Sequence, residues 1–357
     1  MSDYSRLEQF LHRLALNYQP VRAASFDIEC SLARPNAKDT AHQPHVFVTG
    51  LARAGTSILL RILYQNGDFA CQTYRDMPFI LAPQLWRRLS SGWRNPGEAR
   101  ERAHADGMMV DFDTVEAFEE VFWLTFAAGL YVRDGYLLAH DIDGDLASRF
   151  YDYVSIVIAA ENRPEAKRYL SKNNNNLLRL SGLARAFPAS HIIIPFRSPL
   201  QHASSLLRQH QNFSSAQAED PFVRQYMRWL GHFEFGLDCR PFLFGKNTDA
   251  GGIRNGDAQQ LQYWVEQWNR VYAAVLASAP ANVVFWDYDA FCAEPAGKIT
   301  ALAERLNLDA GVIRNAVLDI RPLPAYAGTA NVAPPVQEAA QATHEKLCDR
   351  AKNILTG

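Results

Sequence analysis

The chain has 357 residues, a formal net charge of −2 from 36 basic and 38 acidic side chains, and 48% hydrophobic residues. These totals exclude a disordered chain and give no support for general nucleic-acid binding, so an anionic ligand needs a local basic pocket. Five cysteines (Cys30, Cys71, Cys239, Cys292 and Cys348), odd in number and without a C-x-x-C pair, suggest neither a disulfide framework nor a zinc site and fit a reducing cytoplasm.

The first twenty residues mix charges among apolar side chains, unlike a signal peptide, and no apolar run reaches the length of a membrane span. Leu7, Phe10, Leu11 and Leu14 fall on one helical face that is expected to pack against the domain, the alternatives being a homodimer contact or a membrane surface. "HVFVTG" (45–50) reads as a buried strand and "TSILLRILYQNG" (56–67) as a helix closed by Gly67. "FACQTYRDMP" (69–78) is a second strand running into a loop. Residues 80–165 are mostly helical, with "TVEAFEEVFWLTFAAGLY" the clearest amphipathic stretch.

"KRYLSKN" (167–173) is a short strand, followed by a helix that Pro188 stops. "SHIIIPF" (190–196) is a strand whose Pro195, lacking an N–H, belongs where ladder pairing ends. A helix over 199–210 follows. Residues 214–256 show no clear strand and read as an insertion over a cleft. A helix over 257–278 leads into "NVVFWDYDAF" (282–291), the last strand and its exit. Beyond Arg321 the chain is loop-like and ends in a short helix.

Alternating strands and helices predict an α/β fold of three layers, a mostly parallel central sheet flanked by helices. One domain over 1–357 is the simplest division. It comprises a lead-in (1–44), a core (45–213) with its helical insertion (80–165), a cap (214–256), core completion (257–320) and a C-terminal loop and helix (321–357).

The stretch "VFVTGLARAGTSILLRIL" (46–63) is almost the nucleotide-binding loop G-x-x-x-x-G-K-[ST]. Gly50 and Gly55 keep the spacing and Ser57 the hydroxyl, but Thr56 stands in place of the lysine. A strand turning through glycines into a helix aims backbone N–H groups and the positive end of the helix dipole at one point, which suits phosphate whatever the side chains. Arg53, two residues before Gly55, can supply the missing cation.

"GLARAGTSILLRIL" resembles the 5'-phosphosulfate loop of the sulfotransferase family, in which a Lys or Arg, one further residue and Gly-Thr-Thr or Gly-Thr-Ser open the helix. The resemblance implies a P-loop-type fold and 3'-phosphoadenosine 5'-phosphosulfate (PAPS) as donor, with no metal, its 5'-phosphosulfate held by Arg53, Ala54, Gly55, Thr56 and Ser57. "FRSPLQHASSLLRQH" is similar to the family's 3'-phosphate element, which implies that role for Arg197 and Ser205, although Ser204 leaves the choice of hydroxyl open by one. An Arg fork from a strand end and a hydroxyl from the next helix can converge on one phosphate. "VVFWDYDAFCAEPAGKITALAERLNL" is similar to a third family segment, which would put Tyr288 near the adenosine. The resemblance covers about residues 45 to 308.

In sulfuryl transfer an acceptor oxygen attacks in line while charge builds on the leaving phosphate, so cations there carry much of the catalysis. Arg53 and Lys172 are the candidates. Where cytosolic relatives have Lys-x-His with the His as base, this chain has Lys172-Asn173-Asn174, and an amide takes no proton at neutral pH. Other branches use a carboxylate about twenty residues beyond the loop cation, which by analogy points to Asp76. Glu116, Glu119, Glu120, His140 and His202 stand in reserve, the glutamates reading more readily as a solvated or Arg-paired face.

The expected activity is PAPS-dependent transfer to an acceptor hydroxyl, by analogy that of a carbohydrate or glycolipid. Phe79, Trp86, Trp93, Phe122, Trp123 and the aromatics of 222–235 are candidates to line its cleft. Two rivals are a phosphotransferase using Mg-ATP, with "VVFWD" as a Walker B-like strand, and a non-catalytic PAPS binder that has lost its base.

Overall fold

The computed structural model describes residues 6–33, 40–90, 100–101, 109–110, 115–245, 257–318, 320–321 and 331–352. Five parallel strands form the central sheet: β1 (Val46–Val48), β2 (Phe69–Ala70), β3 (Arg168–Lys172), β4 (His191–Phe196) and β5 (Val283–Asp287). Their order is β5-β4-β1-β3-β2. β1 is central, with Val46 opposite Leu170 of β3 and His191 of β4. Every residue of β1 and β3 is buried, as expected of strands covered by helices on both faces. This is the α/β architecture expected from the sequence.

Pro195 pairs with Trp286 on the β5 side, while the ladder between β4 and β1 stops at Ile193. Its carbonyl accepts from the Tyr272 hydroxyl at 2.8 Å, so the interrupted edge is closed by a side chain.

Several elements differ from expectation. The helix starting at Pro199 runs to Glu219, nine residues further than its apolar pattern suggested. Within 214–245, read from the sequence as an insertion with no clear strand, Pro221–Leu230 is a helix. Asp220 caps it by accepting from the Phe222 N–H, proline occupies its first turn, and Gly231 (φ 78°) ends it. The strand Phe242–Leu243 joins the hairpin of Val132–Arg133 and Tyr136–Leu138, which ties this segment to the helical insertion. The C-terminal helix is not short: it spans Pro334–Lys352 and packs on β5 and on the helix Leu261–Ser278. Residues 246–256 and 322–330 of the expected cap and C-terminal loop lie outside the described residues, as does Trp93.

The N-terminal face is also corrected. Leu7, Phe10 and Leu14 are 67%, 60% and 37% exposed, because the buried side of this segment is formed by His12, Ala15 and Leu16 instead. Trp123, Phe122, Phe150, Tyr153 and Tyr169 build an aromatic core under β3, with ring centroids 4.5 to 6.1 Å apart. That core packs against β3 through Tyr169.

Candidate functional site

The site lies outside the carboxyl ends of β1, β3 and β4, where an open parallel sheet leaves room for ligands. β1 passes through Thr49–Gly55 into the helix Thr56–Tyr64, whose first turn has no side-chain cap. Arg53 and Gly55 both have positive φ, 68° and 88°. At Gly55 a Cβ would stand 2.2 Å from Cε2 of Tyr288, so glycine is required by the backbone and by the ring packed on it. Burial pushes the Tyr288 hydroxyl above its ordinary pKa, and its neighbour Cys292 adds to the shift.

His202 fixes the loop from behind. Its Nε2 meets the Ala52 carbonyl at 2.8 Å, and Trp268 donates to its Nδ1 at 3.1 Å. Complete burial lowers its pKa to about 3. Both nitrogens are occupied and the ring is neutral, so His202 shapes the loop and has no lone pair to offer a substrate. His140, also lowered to about 3 by burial first and Arg179 second, stacks on Tyr131.

The second element reaches the same place. Arg53 Nε lies 3.4 Å from Ser205 Oγ. Of the two adjacent serines, Ser205 is the one that meets the loop. Arg197, at the end of β4, donates from Nη1 to the Arg53 carbonyl at 3.2 Å. Its Nε is 3.5 Å from Oδ1 of Asp289, whose Oδ2 accepts from the Ser198 N–H at 2.7 Å. The Arg197 guanidinium lies 5.9 Å from the centroid of the Tyr288 ring. Arg53, Arg197, Ser205 and Tyr288 thus form one cluster around the loop, with Asp289 orienting Arg197.

Lys172 ends β3 in register with Val48, and is buried. The next residues form the 3₁₀ turn Asn174–Arg179, which Asn173 caps by accepting from the Asn175 N–H at 3.1 Å. The Asn174 carbonyl accepts from Thr49 Oγ1 at 3.3 Å, and its Nδ2 donates to Glu234 Oε1 at 2.8 Å. The other Glu234 oxygen lies 3.6 Å from Nδ1 of His232. Burial would raise the Glu234 carboxyl, but His232 and Lys172 together hold it down at about 2. His232 and Glu234 were missed in the sequence, where only the H-x-E spacing marks them. Glu234 also opens on a mostly apolar cleft beside Leu51 and Ala52, lined by Leu206, Tyr263, Trp264 and Val271 among others.

Asp76 is not a solvated acid. It is 1% exposed and takes a bidentate grip from Arg87, at 2.8 and 3.2 Å, while its Oδ2 also accepts from the Thr73 N–H at 2.9 Å. These bonds tie the turn Tyr74–Asp76 to the helix Pro83–Ser90. The three glutamates are not a solvated face either. Glu119 Oε1 accepts from Trp123, Asn173 and Asn176 and its Oε2 from Tyr169, while Glu120 meets Arg179 at 3.2 Å. Glu116 accepts from Tyr74 and from the Ala117 N–H. Phe122 and Trp123 are core residues, whereas Phe79 and Trp86 are only partly buried and pack together at 5.0 Å.

Comparison with known proteins addresses the fold and the family. No protein of curated function matches the chain. A sulfotransferase from Mycobacterium tuberculosis H37Rv shares its fold with a TM-score of 0.50 at 16% identity, over 96% of this chain and 86% of that one. One from Mycobacterium avium does so with a TM-score of 0.50 at 13% identity, over 95% and 83%. A model of the sulfotransferase family matches residues 44–240, more than half of the sequence, and the chain belongs to that family.

Proposed function

We propose that the chain transfers a sulfuryl group from PAPS to an acceptor hydroxyl. The observation that carries this reading is the 3.4 Å approach of Arg53 to Ser205, which joins the loop cation to the hydroxyl of the second element. In this reading the amides of residues 54–57 and Arg53 hold the 5'-phosphosulfate, Arg197 and Ser205 take the 3'-phosphate, and Tyr288 packs against the adenosine. Arg53 and Lys172 neutralise the charge that builds on the leaving phosphate. Asp76 serves by holding the turn beyond β2 in position.

The acceptor proposed is the hydroxyl of a carbohydrate or glycolipid, by analogy with the carboxylate-base branches of the family. Asp287, the acid of the Walker B-like strand, caps the following helix through the Ala290 N–H, which weighs against the Mg-ATP reading. All five cysteines are unpaired, in keeping with a reducing cytoplasm, and among the described residues no helix is long and apolar enough to cross a membrane.

Titration calorimetry with the desulfated donor, 3'-phosphoadenosine 5'-phosphate (PAP), tests the reading. Heat and thermal stabilisation without magnesium are expected, followed by label transfer from sulfur-labelled PAPS to a glycolipid panel. A response to Mg-ATP alone would overturn it.

A further inference from the structure

The chain lacks a histidine where its Lys-x-x segment ends, yet the fold brings Glu234 against Asn174 there, and the other oxygen of Glu234 lies 3.6 Å from Nδ1 of His232. We propose that His232, held by Glu234, is the general base that takes the proton of the acceptor hydroxyl. This deepens the transfer reading above and rests on it.

The turn that carries His232 is gripped at two points by the asparagine run. Asn174 Nδ2 donates to Glu234 Oε1 at 2.8 Å, and Asn175 Nδ2 donates to the Gly231 carbonyl at 3.2 Å. Gly231 adopts φ 78°, and a Cβ there would stand 2.4 Å from Cγ of Glu120, so the turn is seated against the buried Glu120–Arg179 pair. The same Asn174 bonds through its carbonyl to Thr49, at the start of the phosphate loop. The dyad is therefore coupled by one residue to the loop that would hold the donor, and Lys172 flanks it.

Glu234 is the weaker choice for the base itself. Held at about 2, it stays ionised and has little affinity for a proton, but its charge suits it to orient and stabilise an imidazolium. With Nδ1–H turned toward Glu234, Nε2 is the basic nitrogen of the His232 ring. The charged groups around the ring's turn include Glu234, Lys172 and Arg240, whose guanidinium stacks on the Phe233 ring at 4.6 Å, with Glu120 and Arg179 beneath Gly231.

In the step proposed, the acceptor oxygen forms a bond to sulfur as the bond from sulfur to the 5'-phosphate oxygen breaks. The hydroxyl proton passes to Nε2 of His232, and PAP leaves with the electron pair of the broken bond. The imidazolium then returns its proton to solvent. Glu234 is a positioning residue in this scheme.

The test compares two probe acceptors, 1-octanol, whose hydroxyl needs a base, and 4-nitrophenol, which ionises near neutral pH without one. His232→Gln is expected to lower transfer to octanol about 100-fold or more, by loss of general-base catalysis. Transfer to 4-nitrophenol should change far less, and PAP affinity should hold. Glu234→Gln should show the same split with a smaller loss. His232→Ala with added imidazole should regain octanol transfer.

Equal losses on both acceptors, unchanged octanol transfer, no imidazole recovery in a variant that binds PAP, or loss of PAP binding in both His232 variants would each overturn the proposal. Wild-type protein that binds PAP but sulfates neither probe overturns this inference and leaves donor recognition standing. Wild-type protein that does not bind PAP overturns the functional reading itself.

Discussion

Arg53 and Ser205 are 152 positions apart in the chain, yet Nε of one lies 3.4 Å from Oγ of the other. The contact forms because β1 and β4 are adjacent and parallel, so the loop after one and the helix after the other leave the sheet side by side. Both side chains face a point that also receives the Arg197 guanidinium. Arg53→Ala and Arg197→Ala should each weaken PAP binding about 10- to 100-fold, the scale of one charge-assisted hydrogen bond. Ser205→Ala should cost less, and Ser204→Ala should cost little. Calorimetry on the four variants ranks them, and equal effects of the two serines would contradict the pairing.

Gly55 supports a sharper contrast. Gly55→Ala forces a left-handed residue and drives a methyl into the Tyr288 ring, whereas Gly67→Ala meets the same backbone strain (φ 94°) with nothing within 4 Å. The strain alone costs about 1 kcal/mol. Thermal denaturation should therefore show a clearly larger loss for Gly55→Ala, together with lost PAP binding that Gly67→Ala does not share. Equal melting temperatures would mean the ring does not sit on the loop.

Asp76 separates structure from chemistry. Replacing one partner of its buried bidentate pair with Arg87 leaves a guanidinium unmatched, at a cost of about 1–3 kcal/mol because Arg87 keeps 20% of its exposure. Asp76→Asn is expected to lower the unfolding midpoint while keeping PAP affinity and most turnover at a temperature where it is folded. Loss of turnover with unchanged stability would restore Asp76 as the base.

The two elements that meet at Arg53 and Ser205 were legible in the sequence because their signals are local. Gly50, Arg53, Gly55 and Thr56 lie within one turn, and Arg197, Pro199 and Ser205 follow a single strand end, so strand, turn and helix chemistry locate them without tertiary information. The carboxylates gathered around the asparagine run were not legible for the opposite reason. Glu234 takes its meaning from Asn174, 60 positions away, and sits in the turn beyond the ten-residue helix Pro221–Leu230, where only its spacing to His232 marks it. Glu119 and Glu120 have the spacing of an exposed helix, yet Asn173, Asn176 and Arg179 enclose them. Leu7, Phe10 and Leu14 form an apolar stripe that the fold leaves exposed, because periodicity records a face but not what covers it.

The buried histidines set an acid limit on the fold. His45 and His202 are both inaccessible, and burial lowers them to about 4 and about 3. In each, Nε2 meets a carbonyl, of Thr40 or Ala52, and Nδ1 accepts an N–H, from Tyr169 or Trp268. Protonating Nδ1 would remove that acceptor. The unfolded chain binds both protons below about pH 6.5 while the folded chain refuses them until about pH 4, so folding stability falls as pH drops through this window. With His140, which burial also lowers to about 3, three such groups give a slope of about 4 kcal/mol per pH unit, and His12, His191, His210 and His344, lowered by burial as well, add to it. Urea unfolding at pH 7.5, 6.0 and 5.0 should reveal it, and His202→Gln, which can keep a donor and an acceptor, should remove no more than about a third of the slope. Because His202 stays neutral in the folded chain, its hold on Ala52 is kept across this window, and PAP affinity of the folded wild-type protein should not change through this ring. Stability that is flat between pH 7 and pH 5 would mean these rings are not held neutral by the fold.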